Sequence, residues 1–119
     1  MKILIAEDQP MVLKTISYKL QKSGFNTIGA IDGQQAKAFF DEEIPDLVIA
    51  DLMMPFVSGF ELLQYIREKY GKKIPIIILS AVGEENRILE AFELGADDFM
   101  TKPFIPSELI ARTKRLLRA

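Results

Sequence analysis

Short apolar runs recur along the chain at residues 3–6, 27–30, 47–50 and 76–79, with a weaker fifth at 98–100. Runs that are apolar at consecutive rather than alternate positions predict strands buried on both faces, as in a parallel sheet. Between the runs the period lengthens to that of a helix. Val12, Leu13, Ile16 and Leu20 share one face of a segment that Pro10 opens and Gly24 closes. Asp32 and Gly33 precede a second segment reaching about to residue 40. Ser58 and Glu61 have the Ser-x-x-Glu spacing of a capping box ahead of Leu62, Leu63 and Ile66. Ile88, Leu89, Phe92 and Leu94 line a fourth helix ended by Gly95. Pro106 starts a fifth that carries Leu109, Ile110, Leu116 and Leu117. Five strand–helix units in succession predict an α/β domain with a parallel sheet and helices on both faces.

Length and composition narrow this picture. A chain of 119 residues suits one domain spanning residues 1–119, and a hydrophobic share of 49% can supply its core. No apolar run approaches the eighteen or so residues of a membrane span. The run behind Met1 and Lys2 is too short for a signal-peptide core, and the chain has no cysteine; both point to the cytoplasm. The chain also has no histidine. That excludes thiolate or imidazole zinc sites, Ser-His-Asp triads and Cys-His pairs, leaving hard cations on oxygen ligands. A formal net charge of −2 argues against direct nucleic-acid binding.

In open parallel sheets, ligands bind beyond the carboxyl ends of the strands, at the point where the strand order reverses. Glu7 and Asp8 follow the first strand, Asp51 the third, Ser80 the fourth and Lys102 the fifth. The second strand ends in Ile31-Asp32 and adds nothing evident. With strand order 2-1-3-4-5, Glu7, Asp8 and Asp51 converge. Three carboxylates together raise one another's pKa, and a divalent cation such as Mg²⁺ relieves that. Lys102 and the Ser80 hydroxyl are then placed to meet the oxygens of an anionic group at a carboxylate nucleophile, a set suited to phosphoryl transfer. Singly, Glu7-Asp8 reads as a solvated loop or cap, Ser80 as a turn residue and Lys102 as a surface lysine. Their joint placement on one rim is what argues for a site.

The stretches 3–8 (Ile-Leu-Ile-Ala-Glu-Asp), 45–55 (Pro-Asp-Leu-Val-Ile-Ala-Asp-Leu-Met-Met-Pro), Gly59, 76–81 (Ile-Ile-Ile-Leu-Ser-Ala) and 95–104 (Gly-Ala-Asp-Asp-Phe-Met-Thr-Lys-Pro-Phe) together resemble the receiver domain of two-component response regulators. The resemblance covers essentially the whole chain. It implies a flavodoxin-like, doubly wound (βα)5 fold with strand order 2-1-3-4-5. It implies that Asp51 accepts a phosphoryl group from a histidine kinase's phosphohistidine, and that Mg²⁺ or Mn²⁺ is held by Glu7, Asp8, Asp51 and the backbone carbonyl of Met53. Lys102 would bind a phosphoryl oxygen, aimed by a cis peptide to Pro103. Ser80 would swing to the phosphoryl group, and Phe99 would rotate inward after it. Glu7, Ser80 and Phe99 stand where Asp, Thr and Tyr are the commoner residues. Met53 and Val82 occupy positions that tune phosphoryl lifetime.

The last stretch is similar to OmpR/PhoB-type regulators. That likeness implies a homodimer on phosphorylation through the fourth helix, fifth strand and fifth helix. Arg87 would pair with Glu108, Glu93 with Lys114 and Asp97 with Arg112 across a two-fold axis. Within one helix, Glu108 and Arg112 are also spaced to pair with each other. The chain ends where a linker to a C-terminal DNA-binding effector domain would begin, so it reads as a stand-alone receiver or as part of a longer regulator. Three rival readings are weaker. An aspartyl phosphatase of the haloacid dehalogenase type needs Asp-x-Asp after its first strand, whereas Met53 lies two beyond Asp51. A flavin carrier needs a Ser/Thr/Gly-rich first loop, where Glu-Asp-Gln-Pro stands. A degenerate receiver would lack central residues that this chain retains.

Overall fold

The computed structural model describes residues 1–81 and 85–118. Five parallel strands, β1 (Lys2–Ala6), β2 (Asn26–Ala30), β3 (Leu47–Asp51), β4 (Ile76–Ser80) and β5 (Asp98–Thr101), lie in the order β2-β1-β3-β4-β5. They alternate with α1 (Pro10–Lys22), α2 (Gly33–Glu42), α3 (Gly59–Tyr70), α4 (Ile88–Glu93) and α5 (Pro106–Leu117).

The predicted α/β sheet and its order are therefore the observed ones. The consecutive apolar runs explain why. In β3 and β4 every residue is buried, because alternate side chains feed two separate cores. Leu4, Ala6, Val48, Ala50, Ile76 and Ile78 pack with residues of α2, α3 and α4. Ile3, Ile5, Leu47, Ile49, Ile77 and Leu79 pack on the other face with α1 and α5. Each fully buried aliphatic side chain contributes about 1.5–3 kcal/mol by removal from water.

Two expectations about burial change. β2 is an edge strand, and only Ala30 in it is buried, so its run does not mark a strand covered on both faces. In α4 the buried residue is Ala91, while Leu89 is 71% exposed and Phe92 is also exposed. The core side of this short helix is carried by Ala91 and the partly buried Ile88, with Leu94 packing just beyond its end.

Local signals set the helix ends near the site. Asp32, expected just ahead of the second helix, is the N-cap of α2, its carboxylate accepting from Gln35 N at 2.7 Å. The capping box at α3 is present as predicted: Ser58 Oγ accepts from Glu61 N, and Glu61 accepts from Ser58 N. Pro106 occupies the first turn of α5, where its missing N–H costs nothing.

Candidate functional site

Strand register brings the chemistry together. Ala6 is paired with Ala50, so Glu7 and Asp51 leave adjacent strands one step later. Ser80 is paired with Thr101, and Lys102 N donates to Ser80 O at 2.7 Å, which brings Lys102 onto the same rim. The Lys102–Pro103 peptide is cis.

One oxygen each from Glu7, Asp8 and Asp51 falls within 4.8 Å of the others. Lys102 Nζ lies 2.7 Å from Glu7 Oε1 and 3.0 Å from Asp51 Oδ2. Glu7 is 0% exposed and Asp51 is buried, whereas Asp8 is half-buried. A single ammonium thus bridges two carboxyl groups, with Asp8 a third acid beside them.

The electrostatics follow. Burial pushes the Glu7 carboxyl above its ordinary range, against the pull of Lys102 and of the Gln9 N–H; the Asp51 charge adds to the rise. Burial likewise raises Asp51, opposed mainly by Lys102 and also by hydrogen bonding from the Met53 backbone. Burial alone would lower Lys102, but Glu7 and Asp51 more than offset it and the ammonium is held. Two carboxyls sharing one ammonium titrate as a pair. The surplus negative charge and the all-oxygen donor set fit a hard divalent cation.

Ser80 is buried, and its Oγ has no hydrogen-bond partner among the described residues, so a buried hydroxyl beside the rim is unsatisfied. Phe99 is buried in the core on the side of α2, α3 and α4. Met53 is exposed. Val82, expected to flank the site, lies outside the described residues.

Two glycines bring the β3–α3 segment onto the site. A β-carbon at Gly59 would overlap the Asp51 carbonyl oxygen, so only glycine lets α3 start this close to the end of β3. A β-carbon at Gly33 would overlap the carbonyl oxygen of Val57, so α2 begins directly against the same segment. Sequence reasoning missed Gly33, and also Gln9. The backbone N–H of Gln9 donates to Glu7 Oε2 at 3.0 Å, and its side-chain oxygen lies 3.4 Å from Lys102 Nζ. The Asp-Gly pair at 32–33, just ahead of a helix, was the available signal for Gly33. Gln9 carried none. An open, largely apolar groove of about 520 Å³ adjoins the cluster between α1 and the segment after β5; Met11, Val12 and Phe104 line it, and it shares Lys102 with the acids.

Of the charges expected on a dimer face, Arg87, Asp97, Glu108 and Arg112 are engaged within the chain itself. Arg87 lies 3.4 Å from Glu90, with its guanidinium over the Phe60 ring. Asp97 accepts from Arg67 and from Ile76 N, both at 2.8 Å. Arg112 pairs with Asp98 at 2.7 Å and with Glu108 at 2.8 Å, and Arg115 reaches Asp98 at 3.2 Å. Glu93 and Lys114 lie on α4 and α5 of the same face.

Comparison with known proteins agrees with this geometry. The family model of the response regulator receiver domain matches residues 3–114. The phosphate regulon transcriptional regulatory protein PhoB of Pseudomonas aeruginosa is 42% identical over 117 residues, covering 98% of this chain and 51% of that protein. The alkaline phosphatase synthesis transcriptional regulatory protein PhoP of Bacillus subtilis is 40% identical, covering 98% of this chain and 48% of that protein. The chain therefore spans about half the length of these curated relatives. Among solved structures, the receiver domain of the Francisella response regulator 1452 superimposes with TM-score 0.91 at 34% identity, covering 98% of this chain and 96% of that one. The BeF3-activated DrrB receiver domain does so with TM-score 0.88 at 36% identity, covering 99% and 97%.

Proposed function

This chain belongs to the response regulator receiver domain family, and on that premise we propose that it is a phosphorylation-dependent switch that takes a phosphoryl group on Asp51 from a sensor histidine kinase. The observation that carries the reading is the placement of Asp51: buried at the end of β3, 3.0 Å from the Lys102 ammonium and within an acidic trio that lacks enough positive charge.

An Asp51 carboxylate oxygen attacks phosphorus, the nitrogen–phosphorus bond of a phosphohistidine breaks, and the leaving imidazole takes a proton. The product is an acyl phosphate on Asp51. The 119 residues contain no histidine, so the donor lies outside them. Lys102 Nζ, which bridges Glu7 and Asp51, turns to a phosphoryl oxygen and stabilises the charge that gathers there. The buried Ser80 hydroxyl supplies a hydrogen bond to the same group, which satisfies it. Phe99, packed in the core, keeps that arrangement on the side of α4 and β5. Glu7, Asp8, Asp51 and the carbonyl of Met53 would hold Mg²⁺, which neutralises the carboxylates and the incoming oxygens.

Residues 1–119 act as one cytoplasmic receiver unit that assists its own phosphorylation and dephosphorylation. Its output is the α4–β5–α5 face, through which two copies pair once Asp51 is modified, Arg87 with Glu108, Glu93 with Lys114 and Asp97 with Arg112. The relatives are named as transcriptional regulators of about twice the length, which supports control of a C-terminal DNA-binding domain.

Intact mass after incubation with Mg²⁺ and acetyl phosphate tests the core of this reading. One phosphoryl adduct that needs Mg²⁺ and is missing in Asp51→Asn is expected. No adduct after rapid acid quenching would sink it.

A further inference from the structure

The groove beside the acid cluster is apolar along most of its length and charged at one end. Met11 and Val12 of α1 face Pro103, Phe104 and Pro106 of the segment after β5 across it. Val12 and Phe104 pack against the core on the α1 and α5 side, which anchors both walls, whereas Met11 is 76% exposed at the rim. Among the described residues, three polar side chains line the groove. Thr15 directs its hydroxyl into its own helix, donating to Met11 O at 2.9 Å. The other two, Gln9 and Lys102, meet at 3.4 Å, and Lys102 Nζ lies 3.0 Å from Asp51 Oδ2. The cation that ends the groove is therefore the one that touches the acceptor carboxylate. A volume of about 520 Å³ falls in the range of small-molecule sites. A helix of a protein partner would also find apolar contacts here. Charge at one end only, directly beside the acceptor, suits instead a ligand that carries its anion at one tip and an apolar chain behind it.

We propose that the groove selects small phosphodonors by their apolar part: it takes acyl phosphates whose aliphatic chain is longer than that of acetyl phosphate, with the phosphoryl group at Asp51 and the chain between α1 and the segment after β5. This rests on the reading of Asp51 as the acceptor. In the transfer an Asp51 oxygen bonds to phosphorus, the bond from phosphorus to the acyl oxygen breaks, and the carboxylate leaves with that electron pair. No proton has to move. Methylenes added at the far end of the chain leave this chemistry unchanged, so what they alter is the apolar surface removed from water. A fully buried methylene strengthens binding about fourfold, and half that free energy, as in an open groove, gives about twofold. Binding kept in the transition state raises the rate constant at low donor concentration by the same factor.

Phosphorylation in Mg²⁺ followed by intact mass, at low concentrations of acetyl, butyryl and hexanoyl phosphate, gives a second-order rate constant for each donor. Hexanoyl phosphate is expected to react on the order of tenfold faster than acetyl phosphate, with butyryl phosphate between them. Met11→Gln, a change at an exposed position, is expected to lower the hexanoyl-to-acetyl ratio about twofold or more by making one wall polar. The ratio is taken within one protein, so a difference in folded fraction cancels. Equal rate constants for the three donors overturn the proposal, leave Asp51 as the acceptor and release the groove to a protein partner. A high ratio that Met11→Gln does not change places the chain elsewhere and also overturns it. An adduct that no donor forms, or that persists in Asp51→Asn, overturns the acceptor reading itself, and the proposal falls with it.

Discussion

At the amino end of β4, Arg67 is a nearly buried cation with every neighbour arranged around it. Its guanidinium donates to Gly95 O at 2.9 Å, Gly71 O at 2.9 Å, Ile74 O at 2.7 Å and Asp97 at 2.8 Å, and Asp97 also accepts from Ile76 N. At the carboxyl ends of β1 and β3, by contrast, three carboxyl groups gather, Glu7 and Asp51 share Lys102 and are both raised by burial, and the Ser80 hydroxyl nearby is unsatisfied. Both clusters place charge where water is scarce. The first is saturated and ties α3 to the α4–β5 segment. The second is short of positive charge and of donors, which costs stability but leaves capacity for a ligand. A buried charge therefore says little about function until its partners are counted.

The contrast predicts opposite signs for mutation. Arg67→Met leaves three carbonyls without their side-chain donor and should cost about 1–3 kcal/mol in urea unfolding, the range for leaving hydrogen-bond partners unmet away from water. A loss under about 0.5 kcal/mol would mean that the saturated cluster is not structural. Asp51→Asn should instead stabilise the metal-free protein at neutral pH by on the order of 1 kcal/mol. The folded state holds the Asp51 proton more tightly than the unfolded state does, so the ionised form lowers stability and the cost is full above the raised pKa. The gain should shrink on acidification, because protonation then does what the substitution did. A lower melting point for Asp51→Asn would erase the distinction. Arg115→Ala gives the smallest effect. Its side chain is 65% exposed, so losing the 3.2 Å pair with Asp98 should change stability by less than about 0.5 kcal/mol, measured by the same unfolding curves.

How far the sequence could be read follows from the same physics. β1, β3 and β4 were legible because consecutive apolar residues have no other economical use, and the strand-end acids, Lys102 and Ser80 followed from topology. Which way a side chain points needs register that composition does not carry. Asp97 and Asp98 are adjacent and alike in sequence. Asp97 precedes β5 and turns back to Ile76 and Arg67, while Asp98 opens the strand toward Arg112 and Arg115. A dimer contact through Asp97 would have to compete with Arg67. Half of the apolar face expected for α4 is outside the core: Ile88 and Leu94 pack against it while Leu89 and Phe92 are exposed, because hydrophobicity alone does not say which residues meet the core. Arg67 and Gly33 matter through backbone atoms of distant segments, and no side-chain pattern announces such partners.

The contact between Gly33 and Val57 has a consequence for mutational tolerance. In a library of single substitutions selected only for phosphoryl uptake, position 33 would score with the acidic residues, although it carries no functional group. Its neighbour Asp32 could be exchanged for Ser or Asn at small cost, because those residues cap a helix equally well. The sharp boundary between an adaptable 32 and a closed 33 would be the footprint of a carbonyl oxygen belonging to another part of the chain.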